Sequence, residues 1–133
     1  MNAAVLAKDG AEVTIQGGTI TSEANGANGV FSYGGNGGQN GAAGDGTTVN
    51  ISDTSILTTG DNAGGIMTTG GGVTNASNLT IQTFGRSSAA IRTDRGGGTV
   101  TVDGESYTTS GLGSPAIYST ANVSVRHATL VSN

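Results

Sequence analysis

Cysteine and tryptophan are absent, and proline occurs once. Without cysteine the chain has no disulfides, no zinc–thiolate sites and no cysteine nucleophile. Export is not excluded by that absence. Aromatic residues are 4% of the chain and charged residues 11%. Few side chains are large, so any core must be narrow. Cations are scarce as well: five Lys plus Arg stand against nine acids, for a net charge of −4. Phosphate binding needs clustered cations, so a nucleic-acid partner is not expected. No apolar run approaches the length of a membrane span. The opening "MNAAVLAKDG" has no basic stretch and too short an apolar one for a signal peptide.

Small residues fill the space these absences leave. The 133 residues include 25 Gly, 20 Thr, 13 Ser and 11 Asn. A disordered chain would lack β-branched residues and carry high charge. Here Val, Ile and Thr are plentiful and regularly placed. A five-residue phrase recurs as "AVLAK" from Ala4, "GVFSY" from Gly29, "GIMTT" from Gly65, "AIRTD" from Ala90 and "AIYST" from Ala116. Its spacings are 25, 36, 25 and 26 residues. The long interval holds the Gly/Asn-rich stretch at 34–46, read as a protruding loop inserted into one repeat.

Two further phrases follow each first one. The second runs "VTI" at Val13, "VNI" at Val49, "VTN" at Val73, "VTV" at Val100 and "VSV" at Val123. The third runs "TITS" at Thr19, "SILT" at Ser55, "TIQT" at Thr80, "SYTT" at Ser106 and "TLVS" at Thr129. In the third repeat Asn75 falls where an aliphatic residue is expected, and one residue is inserted before Thr80. Apolar and small polar residues alternate within each phrase, as in a strand. Gly, Asn and Asp separate the phrases, as turns require. No helical period is present. Three short strands per repeat of about 25 residues predict an all-β right-handed parallel β-helix, a solenoid of about five coils forming one domain over residues 1–133.

On these phrases the chain resembles the right-handed parallel β-helix superfamily, with the pectin-lyase-like fold. It is closest in style to the repetitive passenger or stalk regions of bacterial surface proteins. The resemblance covers essentially the whole chain, is one of pattern, and brings no catalytic motif. It implies a secreted or cell-surface bacterial setting, and because the opening lacks a signal peptide the chain is expected to be a fragment of a longer protein.

Alternation sets the expected facing. Val5, Val30, Ile66, Ile91 and Ile117 form an inward column, with Ala7, Ser32, Thr68, Thr93 and Ser119 beside it. The second strand contributes Val13, Val49, Val73, Val100 and Val123, and the third Ile20, Ile56, Ile81, Tyr107 and Leu130. Outward on the first strand stand Leu6, Phe31, Met67, Arg92 and Tyr118, with Tyr33 next to Phe31. This stripe is the candidate binding face, for a glycan or a host or cell-surface protein.

Catalytic constellations are thin. Glycoside hydrolysis needs two facing carboxylates, but Arg92 and Asp94 have no second acid on neighbouring strands. The one histidine, His127, has no obvious acidic partner on the aligned columns and reads as a turn residue. Asp45 is the one acid in the Gly-rich loop, too few for the repeating calcium sites of β-rolls. Neither an enzyme nor a cofactor is expected. Rows of Thr on a flat face suggest ice binding, but Asn, Ser and Gln82 interrupt them. The leading expectation is a non-catalytic structural or adhesive module. Its alternatives are a subunit that stacks end to end through open β-helix ends, and a carbohydrate-active enzyme or carbohydrate-binding module.

Overall fold

The computed structural model describes residues 2–36, 43–94 and 96–133. Part of the loop expected at 34–46 and Arg95 lie outside the described residues. The chain is a parallel β-solenoid of five coils. Strands β1 (Asn2–Ala7), β4 (Ala27–Tyr33), β7 (Ile66–Thr69), β9 (Ile91–Thr93) and β11 (Ile117–Tyr118) stack in that order as one sheet. The second and third phrases form the other sheet. They are β2 (Glu12–Gln16) and β3 (Thr19–Ser22), β5 (Thr48–Ser52) and β6 (Ser55–Thr58), then β8 (Gly72–Thr83), β10 (Gly98–Thr109), β12 (Asn122–Arg126) and β13 (Thr129–Ser132). In the third and fourth coils the two phrases fuse into single strands of 12 residues, so the three-strand coil is modified there.

All inter-coil pairing is parallel. Val5 pairs with Val30, Val30 with Ile66, Ile66 with Ile91 and Ile91 with Ile117. The three central members are at most 1% exposed. Parallel strands about 4.8 Å apart turn each such column into a ladder of touching side chains. Each fully buried aliphatic member contributes roughly 1.5–3 kcal/mol. Further columns run Ile15–Ile51–Ala76–Val102–Val125 and Ile20–Ile56–Ile81–Tyr107–Leu130.

The second-strand column departs from the alignment by one residue. Val49 and Val100 both pair with Thr74, while Val73 pairs with Thr48 and Thr99. Thr74 is buried and Val73 only half-buried. Threonine has nearly the shape of valine, and its hydroxyl bonds that of Thr68 across the interior at 2.7 Å. This slip accounts for the extra residue before Thr80 and places Asn75 outward beside Asn50. Ser119 is a second correction: it is exposed, because β11 ends at Tyr118 and the Ser119 hydroxyl turns to the carbonyl of Ala121.

The corner after the third strand is built identically in four coils. The hydroxyl of the last strand residue donates to the carbonyl five residues on: Ser22 to Ala27, Thr58 to Ala63, Thr83 to Ser88, and Thr109 to Ser114. The backbone at this corner packs tightly from coil to coil. A Cβ on Gly85 would sit 1.8 Å from the carbonyl oxygen of Gly60, and one on Gly111 1.7 Å from that of Gly85. Only glycine fits there. Among the described residues every buried side-chain nitrogen or oxygen has a hydrogen-bond partner.

Two adjacent positions test the facing. Ile81 is fully buried and Gln82 exposed. Ile81→Asp buries an unpaired charge and should unfold the chain, whereas Gln82→Asp should shift the thermal midpoint little. Far-UV circular dichroism with thermal melts reads both. Thr83→Val leaves the Ser88 carbonyl without its donor and should cost about 1–3 kcal/mol in a denaturant titration, with Thr83→Ser retaining most of the stability.

Candidate functional site

The stripe Leu6–Phe31–Met67–Arg92–Tyr118 is a true ladder, each member paired in register with the next. It is not a continuous exposed surface. Phe31 is 6% and Met67 7% exposed, against 38% for Leu6 and 49% for Tyr118. Tyr33 is half-buried. The large apolar groups in the middle of the ladder have ladder neighbours on both sides, and those at its ends have one. The expected facing of Met67 toward solvent is therefore corrected: alternation assigns it to the outer side of the strand, but it is buried there.

What remains accessible is the two ends, Leu6 at one and Tyr118 with the partly exposed Arg92 at the other, and only the latter gathers polar groups. The Arg92 guanidinium lies 5.8 Å from the centre of the Tyr118 ring, a cation–π distance, and its Nη2 lies 3.4 Å from Asp94 Oδ2. Beside this pair is a concavity of about 210 Å³ lined by Ser87, Ala89, Arg92, Gly113, Pro115 and Tyr118. Two of its walls, Ser87–Ala89 and Gly113–Pro115, belong to the turns that lead into β9 and β11. Those turns are held by stacked serines: the Ser88 amide donates to Ser114 Oγ at 2.9 Å and the Ala63 amide to Ser88 Oγ at 3.0 Å. The arrangement offers a ring face, a guanidinium and a rigid rim. Sequence reasoning missed the turn residues. Their signal was the recurrence of Ser or Ala at positions 63, 88 and 114, just ahead of the first phrase.

A second shallow groove, of about 280 Å³, crosses the other sheet between Thr14, Asn50, Ser52, Asn75, Ser77 and Thr101. Its amides are spent on each other, since Asn75 Nδ2 donates to Asn50 Oδ1 at 3.0 Å. This pairing also breaks the hydroxyl row that suggested ice binding.

His127 is a turn residue, with φ of 52°. It ends a column of left-handed residues, Gly17, Asp53, Asn78, Gly104 and His127, each at the bend between second and third strands. Asp and Asn adopt this conformation more readily than most residues, and Gly freely. The expectation that His127 lacks an acidic partner is corrected: Nδ1 lies 2.9 Å from Asp103 Oδ1. Asp103 is one place off the aligned column, on the coil before. The pair is largely exposed, at 80% and 58% for the two side chains, so it contributes at most about 1 kcal/mol, and only when the imidazole is charged. Among the described residues no Ser or Thr hydroxyl bonds to His127, and no group of three metal-ligating side chains is present.

Asp45 closes the neck of the inserted loop. Its amide donates to the Gly34 carbonyl at 2.9 Å, and its Oδ1 accepts from the Thr47 hydroxyl at 2.6 Å and the Thr47 amide at 3.0 Å. These bonds from Thr47 hold the carboxyl below its ordinary 3.8. Burial acts on two other groups: it raises the Tyr107 phenol, whose hydroxyl donates to the Gly104 carbonyl, and it surrounds Thr47, whose Oγ1 accepts from the Gly10 amide at 2.8 Å.

Comparison with protein-family models, curated proteins and solved structures returns no match to this chain.

A carboxyl whose folded value is lowered stabilises the fold above its unfolded value and loses that contribution as pH falls through the folded one. The Thr47 amide resonance should therefore hold steady at neutral pH and move only below the ordinary 3.8. Asp45→Ala should produce the same displacement at neutral pH, as read by amide chemical shifts.

Proposed function

We propose that this chain is a non-catalytic structural segment of a bacterial cell-surface or secreted protein: a stiff β-solenoid rod that carries a binding patch at Arg92 and Tyr118. The observation that carries the reading is where the polar side chains go. The buried hydroxyls of Thr58, Thr83, Ser88 and Ser114 bond to backbone of their own or neighbouring coils, which makes a rod and leaves little chemistry. Among the described residues two ionisable groups have clearly displaced titration, Asp45 and Tyr107, and both bond locally within the fold. Displaced titration at an active site would instead mark an acid or base poised for reaction. The surface setting rests on the pattern resemblance to passenger and stalk solenoids. Absence of cysteine and an acidic, hydroxyl-rich exterior are compatible with it.

The patch favours a glycan or a cell-surface protein. Tyr118 supplies an aromatic face, and Arg92 a guanidinium already oriented by Asp94. Screening the chain against a glycan array and whole cells tests this. Binding should be weakened on the order of tenfold by Tyr118→Ala, equal to about 1.4 kcal/mol, and Gln82→Ala on the other sheet should leave it unchanged. Turnover of an acidic glycan that Asp94→Ala abolishes would instead make the chain an enzyme and overturn the reading.

A further inference from the structure

Positive charge is concentrated in one place on this acidic chain. Residues 86–95 hold Arg86, Arg92 and Arg95, three of the five cations, against one acid, Asp94, a net of +2. The rest of the chain carries Lys8 and Arg126 against eight acids, a net of −6. Arg86 and Arg92 lie among the described residues, both beside the concavity of about 210 Å³. Arg92 lines it, and the exposed Arg86 directly precedes Ser87 on its rim. Each is flanked by a coil on both sides. The Asn62 amide donates to the Arg86 carbonyl at 2.8 Å and the Ser87 amide to the Leu112 carbonyl at 3.0 Å, while Arg92 pairs in register with Met67 and with Tyr118.

The Arg92 guanidinium has donors to spare. A guanidinium carries five N–H groups, and among the described residues this one makes a single hydrogen bond, from Nη2 to Asp94 Oδ2 at 3.4 Å. Its side chain is 22% exposed, so the fork is partly withdrawn from water with its other donors open. Such a group recognises a planar oxyanion, which takes two N–H groups side by side. The remaining walls are small or apolar. Ala89, Gly113 and Pro115 offer no side-chain hydrogen bond, and Ser87 offers one hydroxyl. A neutral sugar brings many hydroxyls and would find few partners here. An acidic side chain brings one carboxylate on an aliphatic stem. Size agrees, because sites that enclose a whole small molecule run to about 300–1,000 Å³, and this smaller hollow suits one side chain of a larger partner.

From this we infer that the patch is a socket for an acidic side chain, Glu or Asp, on a protein partner. The carboxylate sits on Arg92, the stem lies against the Tyr118 ring and Pro115, and Arg86 adds charge at the rim. Interface anchors are built in this way, with Tyr and Arg around a pocket that one residue of the partner fills. The acidic remainder of the chain disfavours the same partner elsewhere and confines it to this segment. The inference rests on the reading of Arg92 and Tyr118 as a binding patch, and narrows it to one class of partner.

The test is binding of two capped peptides to the whole chain, a glutamate oligomer and the matching glutamine oligomer, with an oligouronate as the carbohydrate that carries the same carboxylate. Fluorescence anisotropy reads affinity, and amide chemical shifts read the place. The glutamate peptide should bind, less tightly as salt is raised, and should move the amides of Ser87, Arg92, Gly113 and Tyr118. The glutamine peptide should not bind. Arg92→Gln should weaken glutamate binding on the order of tenfold with circular dichroism unchanged, and Arg92→Lys, which keeps the charge and loses the fork, should recover part of it. Equal binding of the two peptides overturns the inference, as does a folded Arg92→Gln chain that binds glutamate like the wild type. An oligouronate that binds more tightly than the glutamate peptide also overturns it and leaves the patch standing. Failure of the glutamate peptide, while Tyr118→Ala still weakens binding to cells or glycans, sinks this inference alone; if nothing binds at all, the patch falls with it.

Discussion

Coil-on-coil stacking at the spacing of parallel strands is the constraint everything else obeys. A coil of this solenoid is too thin to bury its own inner face, so its side chains pack against those one coil above and below. Position along the chain is then equivalent to position in a column, and each column tolerates only what its neighbours tolerate. Ile, Val and Leu fill the interior, hydroxyls fill the corner, and glycine fills the place where one coil's backbone touches the next. The composition that looked impoverished is what this geometry demands. With strands about 4.8 Å apart, aliphatic and aromatic side chains stack as ladders inside and along one face, while the buried positions of the tight corners between strands admit only Gly, Ser, Thr, Asn and other small residues.

Hydrogen bonding divides along the same lines. Backbone groups of the strands bond between coils, whereas the hydroxyls at the corners bond back within their own coil, as Thr58 does to Ala63, or reach the next coil, as Ser88 does to Gly60. Asn28 joins three coils: its Oδ1 accepts from the Gly64 amide at 2.8 Å, and its Nδ2 donates to the Asn2 carbonyl at 3.4 Å. Such contacts lock the register that the aliphatic columns, being nearly interchangeable, would leave free to slip.

The column Val5–Val30–Ile66–Ile91–Ile117 was legible because β-branched residues recur at one spacing with nothing to confuse them. The Val73 column was not. Thr74 is as good a column filler as valine once its hydroxyl meets Thr68, and that pairing spans two strands that the sequence shows only as separate phrases. The candidate face was legible as a ladder but not as a surface. Alternation says on which side of a strand Phe31 and Met67 lie, and cannot say that neighbours bury them there. The Asp103–His127 contact was missed because it runs diagonally between columns. The left-handed bends were hidden because Gly, Asp, Asn and His each reach that conformation for different reasons and so leave no shared letter.

The register itself is the claim on which the columns and the corners both depend. A chain without cysteine makes it measurable by paired cysteines. Ser52 and Ser77 are direct neighbours on adjacent coils, at a Cα separation of about 4.8 Å that a disulfide can span. Ser52→Cys with Ser77→Cys should oxidise readily to an intrachain disulfide in the folded protein. Ser52→Cys with Ala76→Cys, one residue away and facing the core, should not. If the second pair closes and the first does not, the coils are stacked in a different register and the account is wrong.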